Sequence, residues 1–308
     1  MRPETRACVQ AAARELAYQP DVIARSLRRG RTTTVGVIVA DLGNFFLPPI
    51  LRGIAEVLEQ KGFMPVITET LDDHDRLRAA VGNLLSRKVD ALIVSGALLA
   101  DARLLQQVSD SGIPVVLAVR PLRSTTLISV TTDDVAGGML AARHLADFGH
   151  ERVVEFAGPG DAQPFLDRSV GFSEVAEEVE LDVVPAPDTA THPVVSEGQR
   201  LMELLLGESG EPPTAVFAHN DAMAIGAIDA LRARKLRCPE DVSVLGYNDS
   251  PLVDHFNPPL STIRLPSAEI GRFAAEVAID LIEDPDKAVV SMTFPPTLIS
   301  RGSVMRRS

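Results

Sequence analysis

Val35-Gly-Val-Ile-Val-Ala40, running into Asp41-Leu-Gly-Asn-Phe-Phe46, sets the reading of the chain. An apolar run of this length without a polar residue fits a strand buried on both faces, which is the environment of a parallel sheet covered by helices. A polar loop follows, and then an amphipathic helical pattern over 47–61. The same strand, loop and helix succession repeats down the chain. Further strands are expected at 64–69, 91–95, 115–119, 128–130, 152–157, 181–185, 214–218 and 242–246. Helices are expected at 73–87, 101–111, 134–147, 168–179, 195–206, 221–234 and 267–283. Such alternation implies α/β architecture with two doubly wound parallel-sheet lobes, and two lobes in tandem leave a cleft between them.

Length agrees with this division, because 308 residues exceed one ordinary core and 45% hydrophobic residues suffice for two. The two cysteines, Cys8 and Cys238, are too far apart in sequence to suggest a disulfide framework or a metal knuckle, which fits a reducing, cytoplasmic setting. Val35–Leu42 is the first long apolar run and has the length of a strand, so neither a secretory signal nor a membrane span is expected. Enzyme signatures are missing: there is no Gly-x-Gly-x-x-Gly after a strand, no phosphate-cradling loop, no Gly-x-Ser-x-Gly elbow and no His-Glu-x-x-His. Six dispersed histidines lack metal-ligand spacing, so no catalytic residue, metal or cofactor is expected.

In open α/β sheets ligands sit beyond the carboxyl ends of the strands. The loops there offer Asn44, Phe45 and Phe46, then Ser95, then Arg120, and in the second half Phe165, Arg168, Asn220 and Asn248. Amides and guanidiniums with a few aromatic faces suit a small polyhydroxylated or heteroaromatic ligand. Each position also has a plainer reading. Asn and Asp after a strand serve as turn residues or helix caps, Asp221 reads as the cap of the next helix, and Phe45 and Phe46 read equally as core. Gly137-Gly138, inside a helical pattern, reads as a site of close packing.

Net charge is -12 overall, yet residues 1–32 alone carry +4 and the remainder -16. A basic arm on an acidic body marks a protein that touches a polyanion with one end, although a solvated basic linker has the same composition. Within that arm Asp21 is an N-cap and Gly30 a stop, with Ile23 and Leu27 on one face and Arg25, Arg28 and Arg29 around them. A helix of about two turns is marginal alone, so it should form only against a twin copy or a nucleic acid. Ahead of it, 3–17 reads as a helix whose narrow stripe of Val9, Ala12, Ala13 and Leu16 has nothing nearby to pack on.

Several motifs now resemble one family. They are Thr5-Arg6 with Ala12-Ala13, Glu15-Leu-Ala-Tyr-Gln-Pro20, Ala24-Arg-Ser-Leu-Arg-Arg-Gly-Arg-Thr32, His144-Leu-Ala-Asp-Phe-Gly-His150 and Asn220-Asp-Ala-Met-Ala-Ile-Gly226. Glu240-Asp-Val-Ser-Val-Leu-Gly-Tyr-Asn-Asp249, Pro258-Pro-Leu-Ser-Thr262 and Leu298-Ile-Ser-Arg-Gly-Ser303 complete the set. Together they resemble the LacI/GalR family of bacterial transcription regulators over essentially the whole chain. The resemblance implies a periplasmic-binding-protein-like core that binds a small-molecule effector, a sugar above all, and forms a homodimer. It implies that 18–32 contains the hinge helix that forms on operator DNA, with Leu27 as the minor-groove wedge, Ala24 as its close-packing neighbour, and Arg25, Arg28 and Arg29 on the DNA. It also implies that the two reading helices of the DNA-binding head precede Met1 in the intact protein, 1–32 being a partial head and hinge. The expected lobes are then 33–131 plus 264–291, and 132–263 plus 292–308. Two positions depart from the family: Val119 and Asn248 stand where it often has Asp, which removes negative charge from the cleft. The expected function is a ligand-responsive repressor; a sugar-binding sensor that works without DNA is the alternative.

Overall fold

The computed structural model describes residues 31–208 and 212–307, with Thr5, Ala12 and Glu15 ahead of them, all three helical. The expected hinge contacts at Ala24, Arg25, Leu27, Arg28 and Arg29 lie outside the described residues. In chain order the first half holds β1 (Thr34–Val39), α1 (Leu47–Gln60), β2 (Met64–Glu69), α2 (His74–Ser86), β3 (Ala91–Val94), α3 (Ala102–Asp110), β4 (Val115–Ala118) and β5 (Ile128–Thr132). The second holds α4 (Asp134–Asp147), β6 (Arg152–Phe156), α5 (Gln163–Glu178), β7 (Asp182–Val184), α6 (Val195–Leu205), β8 (Ala215–Ala218), α7 (Asp221–Ala233), β9 (Ser243–Asn248) and β10 (Ser261–Arg264). Helix α8 (Ser267–Glu283), β11 (Met292–Phe294) and β12 (Thr297–Ile299) end the described chain.

Two six-stranded sheets result, in the orders β11-β5-β4-β3-β1-β2 and β12-β10-β9-β8-β6-β7. All pairings are parallel except β10 with β12. The central strands β1, β3, β4, β8 and β9 are buried almost throughout, as uninterrupted apolar runs require when helices cover both faces. The chain crosses between sheets after β5, after β10 and between β11 and β12. This places β11 beside β5, whereas the sequence had assigned residues from 292 onward to the second lobe. A three-residue strand next to a turn has too little periodicity to declare its sheet.

Helix pairs cover the sheets, and glycine sets their spacing. A Cβ on Gly138 of α4 would collide with the Arg168 carbonyl oxygen on α5, and one on Gly171 of α5 with the Val135 carbonyl oxygen on α4. Gly53 and Gly271 do the same for α1 and α8, and Gly198 and Gly226 for α6 and α7. Only hydrogen at those positions lets the backbones approach so closely. Close packing at Gly138 was legible in the sequence.

Helix α5 begins five residues before the expected 168, with Pro164 in its first turn, where a missing N–H costs nothing. Phe165 and Arg168 therefore project from a helix rather than a loop.

Candidate functional site

The carboxyl ends of the two sheets face each other across a cleft. Its inner recess, with about 480 Å³ of free space open to solvent, is lined by Asn44, Phe46, Ser95, Arg120, Phe165, Arg168, Asn220 and Asn248 among others. Eight of the nine residues expected from the sequence are thus brought to one place. The ninth, Phe45, is 68% exposed and lines a neighbouring, more apolar recess with Leu252 and Phe256. Phe46 takes both roles once open to it, since it is buried in the core and borders the inner recess.

Arg168 is held from several directions. Nε donates to Asp134 Oδ1 at 2.8 Å and Nη1 to the His219 carbonyl oxygen at 2.5 Å. The guanidinium carbon lies 3.7 Å from the Tyr247 ring centroid and 5.2 Å from that of Phe165, within cation–π range. Nη2 has no hydrogen-bond partner among the described residues. The carboxylate, carbonyl and rings fix the other atoms, so the guanidinium is held in one position at the recess. Burial pushes the Asp134 carboxyl above its ordinary pKa while Arg168 opposes it. Burial, then the Asp134 charge, pushes the Tyr247 phenol well above its usual value.

Beneath Arg168 the network continues. His219 Nδ1 accepts from the Gly158 N–H at 3.1 Å, which fixes the neutral tautomer with Nε2–H donating to Glu155 at 2.6 Å. Burial lowers the His219 pKa and so favours that neutral form. Burial opposes ionisation of Glu155, but hydrogen bonds from His219 and Ser169 outweigh it and hold the carboxyl below its usual range. Asp134 and Glu155 were not picked out from the sequence, and His219 and Tyr247 stood there only as members of strand-end loops, not as site residues. Asp134 opens a helix, Glu155 and Tyr247 lie inside strands and His219 lies in the bend after β8, where only a partner across the fold reveals each one's purpose.

Arg120 reaches the recess through a strained turn. Val119 has φ +71° and lies between the Ala118 carbonyl and the Arg120 N–H that donates to it at 2.8 Å, a γ-turn of the uncommon positive-φ kind. A β-branched residue pays strain for this conformation, so the surrounding structure must enforce it. Arg120 then grips Asp72 with two contacts, 2.5 and 3.3 Å, a pairing the sequence did not suggest.

The two asparagines of the second lobe differ. Asn220, expected as a ligand contact, is the N-cap of α7: Oδ1 accepts from the Met223 N–H and Nδ2 donates to the Pro193 carbonyl, both at 2.7 Å. The cap expected at Asp221 is thus one residue earlier. Asp221 instead accepts from the Ser250 N–H and the Thr262 hydroxyl, both at 2.6 Å. Asn248, at the end of β9, has φ +112° and is 6% exposed, and its Oδ1 has no partner. A buried unpaired carbonyl costs roughly 1–3 kcal/mol unless something satisfies it.

The lobes touch in front of the recess. Leu98 packs with Ala162 and Phe165, the Leu99 N–H donates to the Asp161 carbonyl at 2.8 Å, and Arg123 meets Asp167 at 2.8 Å. Among the described residues no group of three His, Cys, Asp or Glu side chains is placed to hold a metal ion, and no helix is long and apolar enough to cross a membrane.

Fold and cleft together define a two-lobed ligand-binding core. The profile of the periplasmic binding protein-like domain matches residues 142–304. The ribose operon repressor of Escherichia coli K12 is 30% identical over 296 residues, 96% of this chain and 89% of the relative. The HTH-type transcriptional repressor PurR of Aliivibrio fischeri MJ11 is 28% identical over 297 residues, 96% of this chain and 88% of the relative. Among solved structures, a complex of the transcriptional regulator CelR with cellobiose superposes with a TM-score of 0.78 at 28% identity, covering 98% of this chain and 91% of that one. The chain belongs to the LacI/GalR family of bacterial transcription regulators.

Proposed function

We propose that the inner recess is an effector site and that its occupancy sets how firmly the two lobes close. The observation that carries this is Asn248: a buried Oδ1 without a partner, on strained backbone, in a residue that lines the same recess as Arg168. An acceptor and a donor held ready across a cleft are what a polyhydroxylated ligand needs, and a sugar fits them. Relatives named for ribose and cellobiose support the sugar class. The site binds its ligand without transforming it, in a cytoplasmic homodimer.

The output in this reading is operator DNA, contacted through residues 18–32. Arg31 and Thr32 join that arm to the core: Arg31 Nη2 donates to the Ile282 carbonyl at the end of α8, and Thr32 holds Asp90 and the Lys88 carbonyl. Helix α8 starts three residues after β10, so one rigid element spans from a lobe crossing to the arm's anchor. Ligand and DNA affinities are then coupled by one factor in both directions.

A thermal-shift screen with sugars and polyols tests the site. A ligand at 100 times its Kd adds about 2.7 kcal/mol of stability, and Arg168→Met should erase that gain. A ligand whose shift survives in Arg168→Met binds elsewhere and refutes the recess. For the arm, Leu27→Ala should weaken operator binding by the protein carrying its complete DNA-binding head, and unchanged affinity and bend would refute the wedge.

A further inference from the structure

The inner recess has an unbalanced charge. Two guanidiniums, Arg120 and Arg168, line it, and no Asp or Glu does. Their counter-ions Asp72 and Asp134 stand behind them, outside the lining, so the charge nearest a ligand is positive. The two acids at the neighbouring recess, Asp41 and Asp221, accept hydrogen bonds from Gly43, Ser250 and Thr262. Helix ends add to the imbalance. Helices α1 and α5, of 14 and 16 residues, open on the recess at Phe46–Leu47 and Pro164–Phe165. Neither has an acidic residue in its first turn, and the side chain that meets the start of α1, the Asn44 amide oxygen accepting from the Phe46 N–H at 3.0 Å, is uncharged, so neither start carries a carboxylate of its own. At Asn248, as at Asn44 and Asn220, an aspartate would have the same shape, yet the chain has an amide, and at Asn248 its oxygen has no partner.

We infer that the ligand of this recess is a polyhydroxylated molecule carrying one anionic group, a carboxylate or a phosphate. The anion lies against Arg120 and Arg168 Nη2, and a hydroxyl donates to Asn248 Oδ1. The assignment rests on the recess being the effector site and narrows what enters it. A neutral sugar would satisfy Asn248 but place no anion on the recess side of the two guanidiniums, whose carboxylate partners Asp72 and Asp134 lie outside the lining. An anion in a partly desolvated cleft gains more from those guanidiniums than it would in water.

Matched pairs that differ in charge test this by calorimetric titration of the whole chain: D-gluconate against D-glucitol, D-glucuronate against D-glucose, and D-ribose 5-phosphate against D-ribose. The expected result is binding by a charged member at least about tenfold tighter than its neutral twin, weakening as salt rises. Preference within the charged set, gluconate and glucuronate or the phosphate, separates the two anion types. Asn248→Asp places a carboxylate in the recess and should reduce affinity for the charged member by about tenfold or more beyond any change in affinity for its neutral twin; its ligand-free melting curve controls for folding. Neutral members binding as well as their charged twins, or an Asn248→Asp variant that keeps its anion affinity, overturns the charge assignment and leaves the effector site standing. Silence from all six ligands overturns both.

Discussion

Gly138 and Arg168 meet backbone to backbone: a Cβ on the glycine would overlap the arginine's carbonyl oxygen, so the hydrogen at position 138 decides where the guanidinium stands. Because the obstructing atom is main chain, it cannot rotate away. Gly138→Ala should push α4 from α5, cost about 1–3 kcal/mol despite alanine's better helix propensity, and weaken ligand binding. Gly82 is the control. It is exposed within α2 with nothing within 4 Å of an added Cβ, so Gly82→Ala should stabilise by about 0.5–1 kcal/mol. Urea unfolding of the two variants checks the opposite signs.

Arg168 and Asp134 are 3% and 4% exposed, and neither can be removed alone without stranding the other. Arg168→Met should cost about 3–5 kcal/mol, because a buried carboxylate loses its partner. Adding Asp134→Leu should recover much of that stability, since an apolar pair avoids desolvating charge, but it should not recover ligand binding. Stability returning together with ligand affinity would show that Arg168 is structural only.

The fold was legible because buried parallel strands leave unbroken apolar runs such as Val35–Ala40 and Ala91–Val94, which no surface element imitates. The inner recess was legible for a related reason: strand-end loops converge in this topology, so Asn44, Ser95, Arg120 and Asn248 could be found by position alone. What escaped was pairing. Nothing local to Arg120 announces Asp72, 48 residues earlier in the chain, and nothing local to His219 announces Glu155. The start of α5 also escaped, because Pro164 reads as a break unless the helix is already known to begin there. Asn220 and Asp221 show the finer limit: both are cap residues by type, and only the direction of α7 chooses between them.

Closure of the lobes is held more by burial than by charge. Arg123 is 62% exposed at its side chain and Asp167 also receives Gln163, so their ion pair contributes no more than about 1 kcal/mol. Arg123→Ala should therefore weaken ligand binding by no more than about fivefold, an effect that disappears at high salt. Phe165 joins Leu98 and Ala162 across the cleft and lies 6.0 Å from the His219 ring. Phe165→Ala should cost about tenfold or more in affinity at any salt concentration. Titrations at low and high ionic strength distinguish the two contributions.

Two buried groups act in opposite directions with pH. Burial, then the Arg307 charge, lowers the His150 pKa from 6.5 to about 4. Its folded state resists protonation, so the stability it contributes is present above 6.5 and is lost as pH falls from there towards 4, by up to about 3 kcal/mol. His144, lowered by burial, acts in the same sense. Burial raises Asp221 from 3.8 to about 6. Its folded state favours the proton, so its contribution is present below 3.8 and is lost as pH rises through 6, again by up to about 3 kcal/mol. Over this shared window acid takes stability away through one residue and returns it through the other. His150→Asn should then gain stability relative to the parent as pH falls, and Asp221→Asn should lose it. Urea midpoints measured between about pH 4 and 7.5 check this, and two variants that stay parallel to the parent would refute both shifts.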